Sequence, residues 1–197
     1  MHVLFVCTGN ICRSPMAERL TLAYSQAEGD ALGGVLTASS AGTRAVVGHP
    51  IEPSAGLVLR GLGGDATGFV AHQLLAEDIE KADLVLTMTR KHRSVVLQLS
   101  PRFMTRTFTL REAAALLKDG EDDDFAADPD LDSRARHLRA VLTQRRGARI
   151  VHRDRQRDDI FDPIGGSLDK FQNVGDAIAR ALLPILGALT ARGVKPG

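Results

Sequence analysis

Three features of the sequence predict an α/β fold in which a four-stranded parallel sheet carries helices on both faces. Short apolar, β-branched runs recur along the chain, amphipathic helix patterns lie between them, and Gly or Pro punctuates the junctions. Strands alternating with helices imply parallel pairing through right-handed crossovers. A chain of 197 residues with 44% hydrophobic content can bury one substantial core. The expected organisation is a single domain over residues 1–197, with a charged insertion at about residues 113–159.

The first strand is His2-Val3-Leu4-Phe5-Val6, apolar enough to be buried on both faces. A helix follows, with Ser14 as a good N-cap, Pro15 suited to the first helical position, and Met16, Leu20 and Ala23 or Tyr24 at helical spacing. Val35-Leu36-Thr37-Ala38-Ser39 reads as the second strand, Leu84-Val85-Leu86-Thr87-Met88 as the third and Thr105-Arg106-Thr107-Phe108-Thr109 as the fourth. Pro53 to Leu62 and Arg90 to Leu99 carry apolar residues at helical spacing, with Gly or Pro beyond their ends. The last helix is predicted from near Ser167, its stripe formed by Leu168, Phe171, Val174, Ile178, Leu182, Ile185, Leu186 and Leu189. Pro184 falls inside that stripe and predicts a bend in the helix, not its end.

A formal net charge of +1 gives no bias toward nucleic acid or an anionic membrane, and no apolar run reaches spanning length. The N-terminus enters a strand without the basic region or cleavage site of a signal peptide, which predicts a soluble, cytoplasmic protein. Two cysteines cannot build a disulfide framework. Residues 119–157 place eight acidic residues from Asp119 to Asp132 before nine arginines from Arg134 to Arg157. This segregation predicts a solvated loop and an exposed helix near Ser133 to Arg146, with partner docking as the next reading. With no aromatic residue among those arginines for base stacking, nucleic acid is not an expected partner. A monomer or weak homo-oligomer is expected.

The chemistry concentrates in Cys7-Thr8-Gly9-Asn10-Ile11-Cys12-Arg13-Ser14-Pro15-Met16-Ala17-Glu18. These residues set a thiol and a guanidinium around a glycine-containing turn that opens into a helix. Backbone N–H groups at a helix N-terminus bind oxyanions, and the same field favours a thiolate. The pattern describes a phosphate-binding nucleophile at the carboxyl end of a strand, where ligand sites lie in open parallel sheets. Thr8, Gly9, Asn10, Ile11, Cys12, Arg13 and Ser14 are the candidate phosphate-binding residues. A blander role for the two cysteines is that of small buried hydrophobes near a turn.

This stretch resembles the signature loop of the low-molecular-weight protein-tyrosine phosphatase family. Ser39-Ser40-Ala41-Gly42-Thr43, the Gly48-His49-Pro50 turn, Ala82-Asp83-Leu84-Val85-Leu86-Thr87-Met88 and Asp162-Pro163 follow in the family's order. The resemblance implies a low-molecular-weight phosphatase-like, flavodoxin- or Rossmann-like fold and the hydrolysis of phosphotyrosine in proteins. Within that scheme Cys7 is the catalytic nucleophile, Arg13 with the loop N–H groups holds the phosphoryl oxygens, and Asp162 is the general acid. The expected partner is a phosphorylated protein, and neither a metal nor another cofactor is called for. Ser14 can also donate to the Cys7 thiolate, and Asn10 can shape the loop. Cys12 is the candidate redox partner of Cys7, against a plain packing role.

Asp128-Pro129 is the competing Asp-Pro pair and reads as a loop turn; Asp158 and Asp159 read as solvated loop charges. Three features depart from the family's pattern. Arg44-Ala45-Val46-Val47 and Ile164 leave few aromatic pocket walls, with Phe161 either swinging in or anchoring its loop in the core. Phe69 stands where the family often has a loop-supporting histidine, with His72 three residues on, and no histidine is assigned to catalysis. The third departure is the charged insertion. A related arginine-phosphatase branch carries Thr where this chain has Ile11, and the bulkier apolar side chain is expected to disfavour that activity. The pattern also admits an arsenate reductase using a small thiol, since no Cys follows Cys12, and a non-catalytic phosphopeptide-binding module. A zinc site from Cys7 and Cys12 has the wrong spacing.

Overall fold

Strand β1 (His2–Cys7) lies inside a four-stranded, fully parallel sheet ordered β2-β1-β3-β4. The computed structural model describes residues 1–32, 34–118, 125–148 and 158–190. Strand β2 (Thr37–Gly42) pairs with β1 from His2↔Thr37 to Cys7↔Gly42, β3 (Leu84–Thr87) pairs on the other side up to Val6↔Thr87, and β4 (Thr107–Thr109) closes the edge. Because β1 has neighbours reached by crossovers in opposite directions, its carboxyl end opens on the crevice where such sheets bind ligands.

The pleat sends alternate β1 side chains into two cores. Val3, Phe5 and Cys7 join the larger one, with residues of α1 (Arg13–Glu28), α2 (Pro53–Gly61), α5 (Leu110–Lys118), α6 (Leu131–Ala148) and α7 (Leu168–Thr190). Leu4 and Val6 join the smaller, with Ile79 of α3 (Ala76–Lys81) and Val96 of α4 (Arg90–Leu99). Helices therefore cover both faces, as the alternation predicts.

Several elements differ from expectation. Strand β2 starts two residues late: Val35 is 75% exposed, and the strand forms only from Thr37, where β1 offers a partner. It runs on through small residues to Gly42, where a Cβ would sit 2.6 Å from the Thr8 carbonyl oxygen. Residues 101–106 wind into 3₁₀ turns and shorten β4 to three residues. Helices α3 and α5 were not anticipated. Helix α5 is opened by a capping box, in which Thr109 Oγ1 accepts from Glu112 N–H at 3.1 Å and Glu112 Oε2 accepts from Thr109 N–H at 3.2 Å. Helix α1 begins at Arg13 with Cys12 at its N-cap, so Ser14 is not the cap.

The arginine-rich helix is the largest correction. It is not exposed along its length: Leu131, Arg134, Ala135, Leu138, Val141 and Leu142 of α6 are buried, most of them in the main core. Several of its arginines bind backbone carbonyls, and Arg146 also pairs with Glu112 and Arg139 with Asp83. Arg139 donates to Asp83 O, Arg145 to Leu116 O, and Arg146 to Thr107 O while its guanidinium lies 3.5 Å over the Phe108 ring. The acidic residues 119–124 and the arginines 149–157 lie outside the described residues. Helix α7 continues through a buried Pro184 to Thr190. Among the described residues, no helix is long and apolar enough to cross a membrane.

Candidate active site

Residues 8–12 turn the chain from the end of β1 into α1. A parallel segment fixes the outer edge of this turn: the N–H groups of Thr43, Arg44, Val46 and Glu52 donate to the carbonyls of Cys7, Thr8, Gly9 and Ile11 at 2.7–2.9 Å. With carbonyls turned outward, the loop's N–H groups face the opposite way, and the Asn10 N–H donates to Cys7 Sγ at 3.3 Å. Asn10 reaches that geometry in the left-handed region, φ 54°, which Asn tolerates better than most residues. The Ser14 hydroxyl adds a second donor to Cys7 Sγ at 3.0 Å. Ser14 lies inside the first turn of α1, with its hydroxyl turned to the sulfur.

A buried polar chain stands behind the thiol. Asn10 Nδ2 donates to Ser14 Oγ at 3.0 Å and to Ser40 Oγ at 2.8 Å, Ser40 donates to Glu18 Oε2 at 2.6 Å, and Asn10 Oδ1 accepts from the His72 N–H at 2.9 Å. Burial pushes the Glu18 carboxyl above its ordinary pKa, against the Ser40 hydrogen bond. Cys12 is a free thiol beside this chain, pushed well up in pKa by burial first and by Cys7 second.

Arg13, 4% exposed, connects the loop to the segment before α7. Its Nη1 donates to Ile160 O at 3.2 Å, its Nη2 forms a short ion pair with Asp162 Oδ2, and its buried Nε makes no hydrogen bond. The Asp162 side chain remains 48% exposed. Its segment is anchored on the β3–α4 junction, where Ile160 N–H donates to Met88 O and Arg90 N–H donates to Asp159 Oδ1, each at 2.8 Å. Asp159 is thus no solvated charge but a cap for the start of α4.

Thr8, Gly9, Asn10, Ile11, Cys12, Arg13 and Ser14 all lie in or beside the turn around Cys7, and Asp162 joins them through Arg13. Asp128 does not come near; its carboxylate takes a 2.7 Å bond from His137 Nδ1 on α6. Phe161 is 66% exposed and anchors nothing in the core. The His72 ring turns to Asp78 at 3.1 Å, so its backbone, not its imidazole, supports the loop. A cleft of about 440 Å³ between Thr105, Arg106 and α6 belongs to another part of the surface.

Sequence reasoning missed three supporting residues. Glu18 and Ser40 form the inner end of the polar chain. His92, in the first turn of α4, is buried and sits 2.9 Å from Thr8 Oγ1 through Nε2. Burial, then the nearby Arg13 charge, lowers its pKa to about 4. A histidine three residues after Thr89, a helix N-cap type, was the available signal; its partner 84 positions away was not.

Known proteins share this architecture. The family model for low molecular weight phosphotyrosine protein phosphatase matches residues 2–144. The chain is 36% identical over 110 residues to the low molecular weight protein-tyrosine-phosphatase Ptp of Acinetobacter johnsonii, covering 55% of this chain and 71% of that one. It is 33% identical over 184 residues, 92% of each chain, to a protein-arginine-phosphatase of Bacillus subtilis. The crystal structure of a YwlE mutant from Bacillus subtilis superposes with a TM-score of 0.66 at 27% identity, over 94% of this chain and 95% of that one. Since the family model spans well over half of the sequence and includes the whole Cys7–Glu18 stretch, this chain belongs to the low molecular weight phosphotyrosine protein phosphatase family.

Proposed function

We propose that this phosphatase hydrolyses phosphotyrosine in proteins, and aryl phosphates generally, through a cysteinyl-phosphate. The observation that carries this reading is the setting of Cys7. Its sulfur accepts two hydrogen bonds at the mouth of a turn whose N–H groups face inward, beside a buried arginine with one unbonded nitrogen. Such fixed donors stabilise the charge on the equatorial oxygens of a phosphoryl group in transfer.

In the first step the Cys7 thiolate attacks phosphorus, the bond to the phenolic oxygen breaks, and protonated Asp162 gives its proton to that oxygen. In the second, water attacks phosphorus, Asp162 takes a proton from it, and the sulfur–phosphorus bond breaks to return thiolate and release inorganic phosphate. An incoming phosphoryl group competes with Asp162 for Arg13, which frees the carboxyl for this work. Ser14 and Asn10 hold the thiolate. If peroxide oxidises Cys7 to the sulfenic acid, Cys12 is the resolving thiol: attack on that sulfur forms a disulfide and releases water.

A second reading, hydrolysis of phosphoarginine, is favoured by the Bacillus subtilis relative that aligns over 92% of each chain. Ile11 weighs against it. Its side chain and that of Val46 both border the space beside Gly9, giving the turn an apolar rim that suits an aryl ring better than a guanidinium. Measuring kcat/KM for a phosphotyrosine peptide and a phosphoarginine peptide with wild type and Ile11→Thr tests the choice. Wild type is expected to prefer the aryl ester by about tenfold or more, and Ile11→Thr to narrow the gap. A wild-type preference for phosphoarginine would reverse the assignment.

A further inference from the structure

The β3–α4 junction and the first turn of α4 touch both halves of the site. Through Met88 and Arg90 they anchor the segment that carries Asp162, and through His92 they reach Thr8, the residue after Cys7. Each ring nitrogen of His92 faces a hydroxyl: Nδ1 lies 2.9 Å from Thr89 Oγ1 and Nε2 lies 2.9 Å from Thr8 Oγ1.

The protons can be followed around this contact. Thr89 Oγ1 accepts the His92 backbone N–H at 3.2 Å. When Thr89 gives its own proton to Nδ1, a neutral ring carries its proton on Nε2 and donates it to Thr8 Oγ1. The Thr8 proton is then available to an oxygen of an anion held in the loop. In the opposite tautomer Thr8 donates to Nε2, and that proton is withdrawn from the anion. The first arrangement gives each of these protons an acceptor within the protein or on a bound phosphoryl group, whereas the second leaves the half-buried Thr89 hydroxyl to find one in solvent.

We propose that His92, as its Nε2–H tautomer, is a positioning residue that turns the Thr8 hydroxyl toward the phosphoryl group; this rests on reading the Cys7 turn as the phosphatase loop. His92 then acts on the reaction only through Thr8.

Nitrogen-15 NMR of the histidine-labelled protein saturated with inorganic phosphate reads the tautomer directly, with the His92 signals assigned from His92→Gln. A neutral ring protonated at Nε2 near pH 7 is expected. A ring protonated at Nδ1, or doubly protonated, would overturn the proposal. In kinetics on an aryl phosphate, His92→Leu and Thr8→Val are each expected to lower kcat about tenfold, and the double variant no further. His92→Gln, which keeps an N–H near the place of Nε2, should recover most of the loss. Full activity in His92→Leu, or no recovery in His92→Gln when both variants melt with wild type, would also overturn it. A wild type that neither binds phosphate nor turns over the aryl ester would defeat the parent reading, and this one with it, whereas failure here alone appears only in the tautomer and the variants.

Discussion

Two arginines, Arg13 and Arg134, are equally buried at 4% exposure and have opposite surroundings. Arg134 gives Nε to Leu189 O at 2.6 Å and Nη1 to Asp128 O at 3.1 Å, and its Nη2 makes a short bond to Leu32 O. Leu189 is in the last turn of α7, where carbonyls lack partners within the helix and a cation is favourable. Arg13 opens α1, the end of a helix that repels a cation, and its Nε makes no hydrogen bond. One guanidinium is fully engaged in joining helices. The other is held by the Asp162 carboxylate and one carbonyl and keeps a buried nitrogen unbonded, so burial of an arginine does not by itself reveal its role; its partners bear on it more.

Exchanging each arginine for methionine is the strongest way to break this contrast. Arg13→Met should lower kcat/KM on an aryl phosphate by about a thousandfold or more, with little change in the urea unfolding midpoint. Lost stability with retained turnover would show that Arg13 is a structural tie like Arg134. Asp162→Asn comes next: kcat for a poor leaving group is expected to fall about a hundredfold or more, while Asp128→Asn has no effect. If Asp128→Asn were the damaging change, the two Asp-Pro pairs would have to trade places. Arg134→Met should cost about 3 kcal/mol of unfolding free energy by leaving three carbonyls without their donor, with turnover per folded molecule unchanged.

A smaller effect sharpens the comparison through pH. The His92 pKa is lowered from 6.5 to about 4, so between these values the unfolded chain binds the proton and the folded one does not. Its contribution to stability is complete above about pH 6.5 and is lost as pH falls toward about 4. Glu18, with its pKa raised by burial, works in the other sense. The difference between wild type and His92→Gln isolates the histidine. Urea midpoints measured across this range should fall more steeply with acid in wild type, and parallel curves would show that the ring is not held neutral.

The sheet was legible because β1 and β3 are continuous apolar runs, the mark of strands buried on both faces. The true extent of β2 is hidden because Ser40, Ala41 and Gly42 do not look like a strand; Ser40 bonds Asn10 of the Cys7 turn, and Gly42 has no room for a Cβ beside the Thr8 carbonyl. The burial of α6 is hidden for a different physical reason. Its arginines find their acceptors, carbonyls and the distant acids Asp83 and Glu112, only after folding, so a packed helix resembles a solvated one. Within the site, the Cys7–Arg13 turn was readable since its parts are neighbours, and Asp162 through family resemblance. His92, Ser40 and the segment from Thr43 to Glu52 meet the turn only after folding.

That last segment makes distant amides reporters of the proposed anion site. Thr43, Arg44, Val46 and Glu52 give their N–H groups to the back of the turn, so their hydrogen exchange is governed by how often the turn opens. Occupancy of the loop by phosphate should slow these four amides together, although none of their donors points at the ligand. Ligand binding can therefore be followed on residues far along the chain from those that hold it, because Thr43 pairs with Cys7, Arg44 with Thr8, Val46 with Gly9 and Glu52 with Ile11.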